Sequence, residues 1–219
     1  MRVILFGATG MIGGGVLREC LLAPGIDGVL CVGRAKTGRT EEKLGELTLP
    51  DLTAYGAVAR ELSGYDACFF CLGVSSAGMS EADYRHVTYD IAVAAAQALV
   101  EVSPAMTFIF VSGAGTDAAS KTMWARIKGE TENAILALPF RAKYAFRPAF
   151  VRPMHGITSR TRSYRILYAV TRPLMPALEA LAPRYVTTTE RVGRAMLNVV
   201  HNGFGKAVLE NADINAASQ

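Results

Sequence analysis

Short apolar runs alternate along the chain with longer segments in which apolar residues recur at helical spacing. Runs rich in β-branched and aromatic residues predict strands, and the spaced segments predict helices with one buried face. The predicted strands are residues 3–6, 29–33, 67–72, 107–111, 144–146 and 207–209, with residues 46–49 as a further edge strand. The predicted helices are residues 11–22, 55–62, 81–102, 121–138 and 188–201.

This alternation predicts the fold class. Near-continuous apolar strands joined by helices are typical of a parallel sheet with helices on both faces and right-handed crossovers. We therefore expect a doubly wound, Rossmann-type α/β fold with a mostly parallel sheet of six to seven strands. At 219 residues, of which 51% are hydrophobic, the chain is expected to form a single NAD(P)-binding domain over residues 1–219.

The segment 164–181 is apolar enough to suggest a membrane element. Arg172, Pro173 and Pro176 interrupt it well before the roughly 20 residues that a membrane span needs. We expect no transmembrane segment, and we interpret residues 151–185 as a small helical cover over the substrate cleft. The alternative is a peripheral membrane contact with Arg162, Arg165 and Arg172 as anchors.

A glycine-rich turn, GATGMIG, lies directly between the first predicted strand and the first predicted helix. A strand, a tight glycine turn and a helix N-terminus in this order are typical of a dinucleotide site, because the helix N–H groups and dipole attract a pyrophosphate. Gly14 and Gly15 extend the run into the helix, where each costs about 1 kcal/mol against alanine, so something must approach the chain closely there. The candidate phosphate-binding residues are Gly7, Thr9, Gly10, Met11, Ile12 and Gly13.

The second predicted strand indicates which dinucleotide binds. In this fold its end meets the adenosine ribose, and a carboxylate there favours NAD. Here it ends with Arg34, and Lys36 follows, without a carboxylate. An arginine can bind a 2′-phosphate, so we expect NADP(H) to be preferred, with NAD(H) as the alternative. Asp51 and Leu52 are candidates to border the adenine, and Leu72 and Gly73 would let the backbone pass close to the cofactor.

Four cysteines are too few for a secreted disulfide scaffold, and they predict a reducing, cytoplasmic location. Cys68 and Cys71 have CxxC spacing but lie on a predicted strand, where residues three apart point to opposite faces. No second cysteine or histidine pair completes a zinc set, so we expect no metal site.

The net charge is +4, and a basic stretch without acidic residues contributes to it. This stretch is either a solvated loop or a surface for an anionic substrate, the cofactor phosphate or an acidic partner. No nucleic-acid motif accompanies it, so a nucleic-acid partner is not expected. The stretch contains Arg152, His155, Arg160, Arg162, Arg165 and Arg172.

Several motifs together resemble the short-chain dehydrogenase/reductases. They are the glycine turn, the Arg34 strand end, CLG at 71–73, VSGAG at 111–115, Lys128 within KGE and FRP at 146–148. The chain is similar in particular to small atypical members, the Tat-interacting oxidoreductase-like proteins and bacterial proteins labelled NAD-dependent epimerase/dehydratase. The similarity covers roughly residues 1–155.

The resemblance implies a catalytic set with one departure. Ser112 matches the family's serine after the fifth strand, and Lys128 matches the lysine of its YxxxK pair, where it contacts the nicotinamide ribose. Trp124 stands where the family has its proton-donating tyrosine. An indole donates one hydrogen bond but is no practical acid near neutral pH. Pro148 is expected to place backbone near the nicotinamide carboxamide.

Three functions remain open. The first is an NADPH-dependent oxidoreductase that passes hydride to a small organic acceptor and takes its acid from Lys128, Tyr144, His155 or a water held by Ser112. The second is a non-catalytic NADP(H) sensor whose loop 113–121 alters its affinity for a partner. The third is a sugar-nucleotide epimerase or dehydratase. A small-molecule substrate is expected, with the chain as a homodimer or a monomer.

Overall fold

The molecule is built around strands whose side chains are apolar on both faces. The computed structural model of the protein describes residues 1–157 and 182–219. The strands are β1 (Arg2–Phe6), β2 (Gly28–Gly33), β3 (Leu44–Thr48), β4 (Ala67–Phe70), β5 (Thr107–Val111), β6 (Ala142–Arg147), β7 (Phe150–Arg152), β8 (Val186–Thr188) and β9 (Val208–Glu210). Seven of these form one sheet in the order β3-β2-β1-β4-β5-β6-β9, and every neighbouring pair is parallel. The predicted doubly wound parallel sheet is confirmed.

Helices cover both faces of this sheet. They are α1 (Met11–Leu22), α2 (Glu81–Arg85), α3 (Ile91–Val102), α4 (Met123–Ala137), α5 (Thr189–Asn202) and α6 (Asn211–Ala217). A π-helical turn, His86–Asp90, joins α2 to α3, so the helix predicted over residues 81–102 is continuous but contains a wider turn.

Three differences from the sequence prediction concern local structure. The helix predicted over residues 55–62 is wrong, because only a 3₁₀ turn, Gly56–Val58, forms there. Tyr55 and Leu62 are both buried in the core, and these tertiary contacts hold the short segment in place without a regular helix. The small parallel pair β7–β8 and the helix α6 were not predicted, since neither is long enough to show periodicity.

Alternating side chains of the strands divide the core into two layers. Val3 and Leu5 pack towards α1 and α5, whereas Ile4 and Phe6 pack towards α3 and α4. The second layer contains a chain of aromatic contacts from Phe6 through Phe70 and Phe108 to Phe140. This packing fixes the carboxyl ends of β1, β4 and β5 side by side, which is where ligands bind in such sheets.

The close approach predicted at the extra glycines of α1 occurs at Gly15, where α1 packs against α5. A Cβ at Gly15 would lie 2.5 Å from Cβ of Thr189, and one at Gly193 would lie 2.7 Å from Cγ of Glu19. Glycines on both helices therefore let α1 and α5 lie against each other.

The predicted substrate-cleft cover, residues 151–185, falls mostly on residues 158–181, which lie outside the described part of the chain, as do Arg160, Arg162, Arg165 and Arg172. Among the described residues, no helix combines the length and the apolar character needed to cross a bilayer.

Candidate cofactor and active site

Three glycines shape the turn between β1 and α1. Gly7 has φ of 78°, and a Cβ there would lie 2.6 Å from the backbone nitrogen of Leu72. The N–H of Gly10 donates to the Gly7 carbonyl at 2.9 Å. A Cβ at Gly13 would lie 2.1 Å from the same carbonyl oxygen. Because a Cβ at Gly7 or Gly13 would strike backbone, the turn can pass this close to β4 and α1 only with glycine at these two positions, whereas a Cβ at Gly10 would lie 3.3 Å from the Gly7 carbonyl oxygen.

The N-terminus of α1 is open to an anion. Gly10 is its N-cap residue, no side chain caps it, and its first turn contains no acidic residue. Thr9, Met11 and Ile12 are partly exposed. The first N–H groups of a helix lack partners within the helix, so this end provides the donors and the positive dipole end that a pyrophosphate requires.

Two exposed cations lie beyond the end of β2, at the expected adenosine position. Arg34 and Lys36 are both exposed. A carboxylate from a neighbouring strand, Glu46 on β3, reaches the loop that follows β2. Glu46 accepts hydrogen bonds from the Thr37 backbone N–H and hydroxyl, both at 2.6 Å, and these bonds lower the pKa of its carboxyl group. The carboxylate is thus held by Thr37, and Arg34 has no ion-pair partner among the described residues.

The remaining cofactor-border residues lie at the same edge of the sheet. The Leu52 side chain is buried in the core, so only its backbone can face a ligand. Asp51, beside it, accepts from the N–H and hydroxyl of Thr53. β4 ends at Phe70, which leaves Leu72 in the following loop, and Gly73 is exposed with open space around it.

The loops after β5 and β6 are joined by backbone hydrogen bonds. The N–H of Ser112 donates to the Phe146 carbonyl at 2.8 Å, and that of Ala114 donates to the Pro148 carbonyl at 3.0 Å. Pro148 is buried. It therefore supports the loop that carries Ser112, and its own carbonyl already accepts the hydrogen bond from Ala114.

Ser112 is buried at the end of β5 and has a partner that the sequence did not suggest. Its hydroxyl lies 2.9 Å from that of Thr116. The Thr116 hydroxyl donates its one hydrogen to the Gly113 carbonyl at 2.7 Å, so Ser112 is the donor in the pair. The lone pairs of the Ser112 oxygen remain available to hold a water or a ligand donor.

Lys128 approaches the same strand end from α4. Its ammonium nitrogen lies 3.4 Å from the carbonyl oxygen of Val111, the residue before Ser112, and 5.5 Å from the centre of the Phe110 ring. Burial lowers the pKa of Lys128 to about 8, while the charge of Glu132 acts in the opposite direction. The structure therefore brings the Lys128 ammonium to the residue next to Ser112.

Arg147 keeps Glu132 from forming an ion pair with Lys128. It binds both carboxylate oxygens of Glu132, at 2.9 and 2.5 Å, and also contacts Glu210 at 3.1 Å. The hydrogen bonds to Glu132 raise the pKa of Arg147. Sequence reasoning missed this group, although the spacing of Lys128 and Glu132 on one helix face could have indicated it.

Trp124 lies one helical turn before Lys128 and is partly buried. A Cβ at Gly115, where φ is 83°, would lie 3.6 Å from the outer ring carbon Cη2 of the indole. The indole thus packs against the loop that follows Ser112.

The loop 113–121, predicted as a conformational switch, is held against α4. Gly129 has no room for a side chain because a Cβ there would lie 2.2 Å from the Ala118 nitrogen. The N–H of Asp117 donates to the Ala125 carbonyl, and Arg126 donates to the Ser120 carbonyl at 3.2 Å.

Two candidate acids have contacts elsewhere in the fold. Nε2 of His155 lies 2.7 Å from a carboxylate oxygen of Glu190, and His155 lines a cavity of about 330 Å³ with Arg18 and Arg39. Tyr144 is buried in the core layer under α1 and α5, where its hydroxyl accepts from the Phe204 N–H at 3.2 Å. The contacts of His155 and Tyr144 do not include Ser112 or Lys128. The sequence could not predict this, because the chain order of these residues says nothing about the sheet face on which they lie.

All four cysteines are free thiols. Burial raises the pKa of both Cys68 and Cys71, which keeps these thiols protonated. Within the described ranges, no group of three histidine, cysteine or acidic residues could hold a metal ion.

Comparison with known proteins identifies a family model, described as the NAD dependent epimerase/dehydratase family, that matches residues 3–146. Among curated relatives, HTATIP2 of Rattus norvegicus is 26% identical over 216 residues, covering 97% of this chain and 87% of its own length. Mitochondrial FMP52-1 of Scheffersomyces stipitis is 27% identical over 153 residues, covering 69% of this chain and 67% of its own. The matched part spans 64% of mitochondrial FMP52 of Meyerozyma guilliermondii, so about two thirds of these fungal proteins is represented.

Solved structures share the fold. DesIV, a dTDP-glucose 4,6-dehydratase from Streptomyces venezuelae with NAD bound, superposes with a TM-score of 0.72 at 16% identity, covering 99% of this chain and 79% of the other. A short-chain dehydrogenase family protein from Francisella tularensis superposes with a TM-score of 0.65 at 14% identity, covering 95% of both chains.

The predicted cytoplasmic location is wrong. The fungal relatives from Scheffersomyces stipitis, Meyerozyma guilliermondii and Emericella nidulans are named as mitochondrial proteins. Reduced cysteines fit any compartment that keeps thiols reduced, so cysteine content could not distinguish between such compartments.

Proposed function

The chain belongs to the NAD-dependent epimerase/dehydratase family, and from this premise we propose that it is an NADP(H)-dependent oxidoreductase that transfers hydride to a small organic acceptor. The observation that carries the proposal is the placement of Ser112 and Lys128 at the end of β5, with the open glycine turn on β1 at the same edge of the sheet.

The residues present fit a dinucleotide. The uncapped N-terminus of α1 offers N–H groups to the pyrophosphate, and a Cβ at Gly73 or Gly113 would meet nothing within 4 Å, which leaves room at the ends of β4 and β5. Arg34 and Lys36 would hold the 2′-phosphate of NADP(H). When bound, the nicotinamide supplies the hydride.

Lys128 and Ser112 would have separate roles, in binding the cofactor and in supplying the proton. Lys128 binds the nicotinamide ribose and provides positive charge near the reacting atoms, where burial strengthens its effect on a developing anion. Ser112, whose hydrogen is directed to Thr116, holds through its lone pairs a water that delivers the proton. Tyr144 and His155 are left out of this mechanism because their side chains are bound elsewhere.

The first experiment titrates the protein with NADPH and, separately, with NADH, and follows the emission of Trp124, its only tryptophan. We expect saturable binding of both nucleotides, with NADPH roughly tenfold tighter, about 1.4 kcal/mol. Energy transfer from Trp124 to the reduced nicotinamide would support its position beside the cofactor. No saturable response to either nucleotide, checked by calorimetry, would refute the proposal.

A matched pair of variants tests the 2′-phosphate assignment. Arg34→Ala is expected to weaken NADPH binding roughly tenfold and leave NADH binding unchanged. Arg39→Ala is the control, because Arg39 lies on the same loop but is paired with Glu41 at 3.0 Å. Equal losses for NADPH and NADH in Arg34→Ala would argue against a phosphate contact.

The two alternatives have less support. A sensor would need a loop that moves, whereas loop 113–121 is bound to α4 at several points. A sugar-nucleotide epimerase or dehydratase would need an acid on the helix face that here presents Trp124 and Lys128.

A further inference from the structure

The residue one turn before Lys128 restricts the chemistry of the acceptor. Hydride addition to an isolated aldehyde or ketone creates an alkoxide, a base comparable to hydroxide, which must be protonated as it forms. In the mechanism proposed above, Lys128 holds the nicotinamide ribose and the proton comes from water, which is a weak acid. Trp124 offers only an indole N–H, which cannot supply this proton either.

A quinone avoids this requirement. Its carbonyls are conjugated with the ring, so hydride addition creates a phenolate-type anion, whose conjugate acid has a pKa of about 10, as for the tyrosine phenol. Such an anion persists in water and takes its proton after the hydride has been transferred. A buried cation nearby, as Lys128 provides, stabilises the anion further.

Trp124 also offers a surface for a flat ring. The indole is only partly buried, and its outer ring carbon Cη2 would lie 3.6 Å from a Cβ at Gly115. Aromatic rings prefer offset stacking, and the indole, which is rich in π electrons, suits an electron-poor ring such as a quinone.

There is room for such a ring at the adjacent strand ends. Gly73 and Gly113, at the ends of β4 and β5, have no neighbours within 4 Å of an added Cβ. Val74, which follows Gly73, is 44% exposed and gives this edge an apolar side chain. A flat, mainly apolar acceptor matches this combination better than a polyhydroxylated one.

We infer that the acceptor is a quinone, held by stacking on the indole of Trp124. This inference rests on the proposed oxidoreductase function. The quinone takes a hydride, with its two electrons, from C4 of the dihydronicotinamide, which leaves NADP⁺ and a hydroquinone monoanion. A proton from water then completes the hydroquinone, so one NADPH and one proton are consumed for each quinone reduced.

Binding provides the first test and needs no turnover. Protein saturated with NADP⁺, which cannot reduce the ligand, is titrated with 1,4-naphthoquinone by calorimetry. Trp124→Leu, which keeps an apolar side chain but removes the ring, is expected to bind the quinone roughly tenfold more weakly, about 1.4 kcal/mol. Trp124→Phe, which keeps a ring, is expected to stay within about threefold of the unmodified protein.

NADP⁺ affinity is measured for each of the three proteins, so that every quinone titration is made at full NADP⁺ saturation. Weaker quinone binding by Trp124→Leu than by Trp124→Phe at full saturation supports the stacking role of Trp124. Equal quinone affinity in Trp124→Leu and the unmodified protein would overturn it.

Turnover provides the second test, with acceptors of matched size. NADPH oxidation above the uncatalysed rate is followed with 1,4-naphthoquinone and with 1-tetralone, a bicyclic ketone of similar shape. We expect turnover of the quinone only, and we expect Trp124→Tyr to gain reduction of 1-tetralone because it supplies a phenolic acid.

The outcomes distinguish a wrong acceptor class from a wrong oxidoreductase function. If the unmodified protein reduces 1-tetralone as fast as the quinone, or reduces only 1-tetralone, the acceptor class is wrong but the oxidoreductase function stands. If the NADPH-bound protein reduces neither these acceptors nor a wider set of enones and aldehydes, the oxidoreductase function itself is refuted.

Discussion

Lys128 combines a functional position with an environment that is unfavourable for its charge. Its ammonium group is buried near Val111 and Phe110, and the carboxylate that could neutralise it, Glu132, is bound by Arg147. Burial lowers the pKa of Lys128 from 10.5 to about 8. Below pH 8 the folded protein therefore carries a buried ammonium that costs free energy, which is expected where a residue serves binding or catalysis more than stability.

Replacing this lysine should stabilise the protein. At pH 7 we expect Lys128→Met to raise the free energy of unfolding by about 2 kcal/mol, while abolishing turnover. Between about pH 8 and 10.5 the unfolded chain binds more protons at this lysine than the folded protein does, so the penalty shrinks as pH rises. The difference between the two proteins should thus be largest at pH 7 and small near pH 10.5.

Urea unfolding at several pH values measures this difference. Lys121→Met is the matched control, since Lys121 is exposed and its loss should change stability by less than about 0.5 kcal/mol at every pH. A Lys128→Met variant that is less stable than the parent at pH 7 would contradict the environment described for Lys128.

At the scale of elements, the packing of α1 on α5 decides how the cofactor helix is held. Helices can lie this close only where side chains are absent, and Gly15 and Gly193 provide these gaps, one on each helix. Glycine inside a helix costs about 1 kcal/mol relative to alanine. The cost is offset by the close contact of Gly15 with Thr189, the first residue of α5.

Two neighbouring glycines of α1 should respond in opposite directions. Gly15→Ala would place Cβ 2.5 Å from Cβ of Thr189 and 2.8 Å from its carbonyl oxygen, so we expect a loss of about 2 kcal/mol. Gly14→Ala would meet the Ala8 carbonyl oxygen at 3.5 Å and Cγ2 of Ile157 at 3.8 Å, both ordinary contacts, so we expect no loss, or a gain of up to about 1 kcal/mol from helix propensity. Chemical denaturation without cofactor measures both, and similar effects of the two changes would argue against the described α1–α5 contact.

A second prediction at this scale concerns the ion pair that joins α4 to β6. The Glu132 side chain is only 3% exposed and binds Arg147 with both oxygens. Removing one partner of a buried pair leaves the other charge uncompensated, so Glu132→Ala should cost about 3 kcal/mol. Glu130→Ala on the same helix is the control, because its pair with Arg85 is largely exposed and should be worth less than about 1 kcal/mol. Equal losses in thermal or chemical unfolding would show that Glu132 is not the structural carboxylate.

At the scale of the whole molecule, the proposed cofactor would connect elements that otherwise meet only through the sheet. It would contact the N-terminus of α1, the loops after β2, β4 and β5, and Lys128 on α4. A ligand that binds only the folded state stabilises it in proportion to the logarithm of its concentration over Kd. Because the contacts are distributed over the sheet, the whole cooperative unit should be stabilised.

NADPH at a hundredfold excess over Kd should therefore raise the free energy of unfolding by about 2.7 kcal/mol. For a chain of this size that corresponds to a rise in Tm of roughly 5–10 °C. Differential scanning calorimetry with NADPH, NADH and no nucleotide measures it, and at the same concentrations Arg34→Ala should lose about half of the NADPH effect, about 1.3 kcal/mol, while keeping the NADH effect. A transition in which only part of the unfolding enthalpy shifts would mean that the cofactor holds one segment and not the sheet as a whole.

The sequence by itself determined the order of the elements and the location of the glycine turn. Strand and helix periodicity are local properties, and the right-handed rule for parallel crossovers converts their order into a sheet topology. The expectation that Ser112 and Lys128 act together came from the family resemblance and stays a prediction; in the structure Lys128 donates to the carbonyl of Val111, the residue before Ser112. The helix predicted over residues 55–62 was wrong because burial of Tyr55 and Leu62, and not a repeating pattern, sets the conformation of this segment.

Only the tertiary structure decided which side chains are available for chemistry. Thr116 accepts the Ser112 hydrogen, Arg147 binds Glu132, and Thr37 binds Glu46. The contacts of His155 with Glu190 and of Tyr144 with Phe204 remove two candidate acids in the same way. Most of these contacts join residues from separate elements, and hydrogen-bond geometry over a few ångströms is fixed by packing and leaves no periodic trace in the sequence.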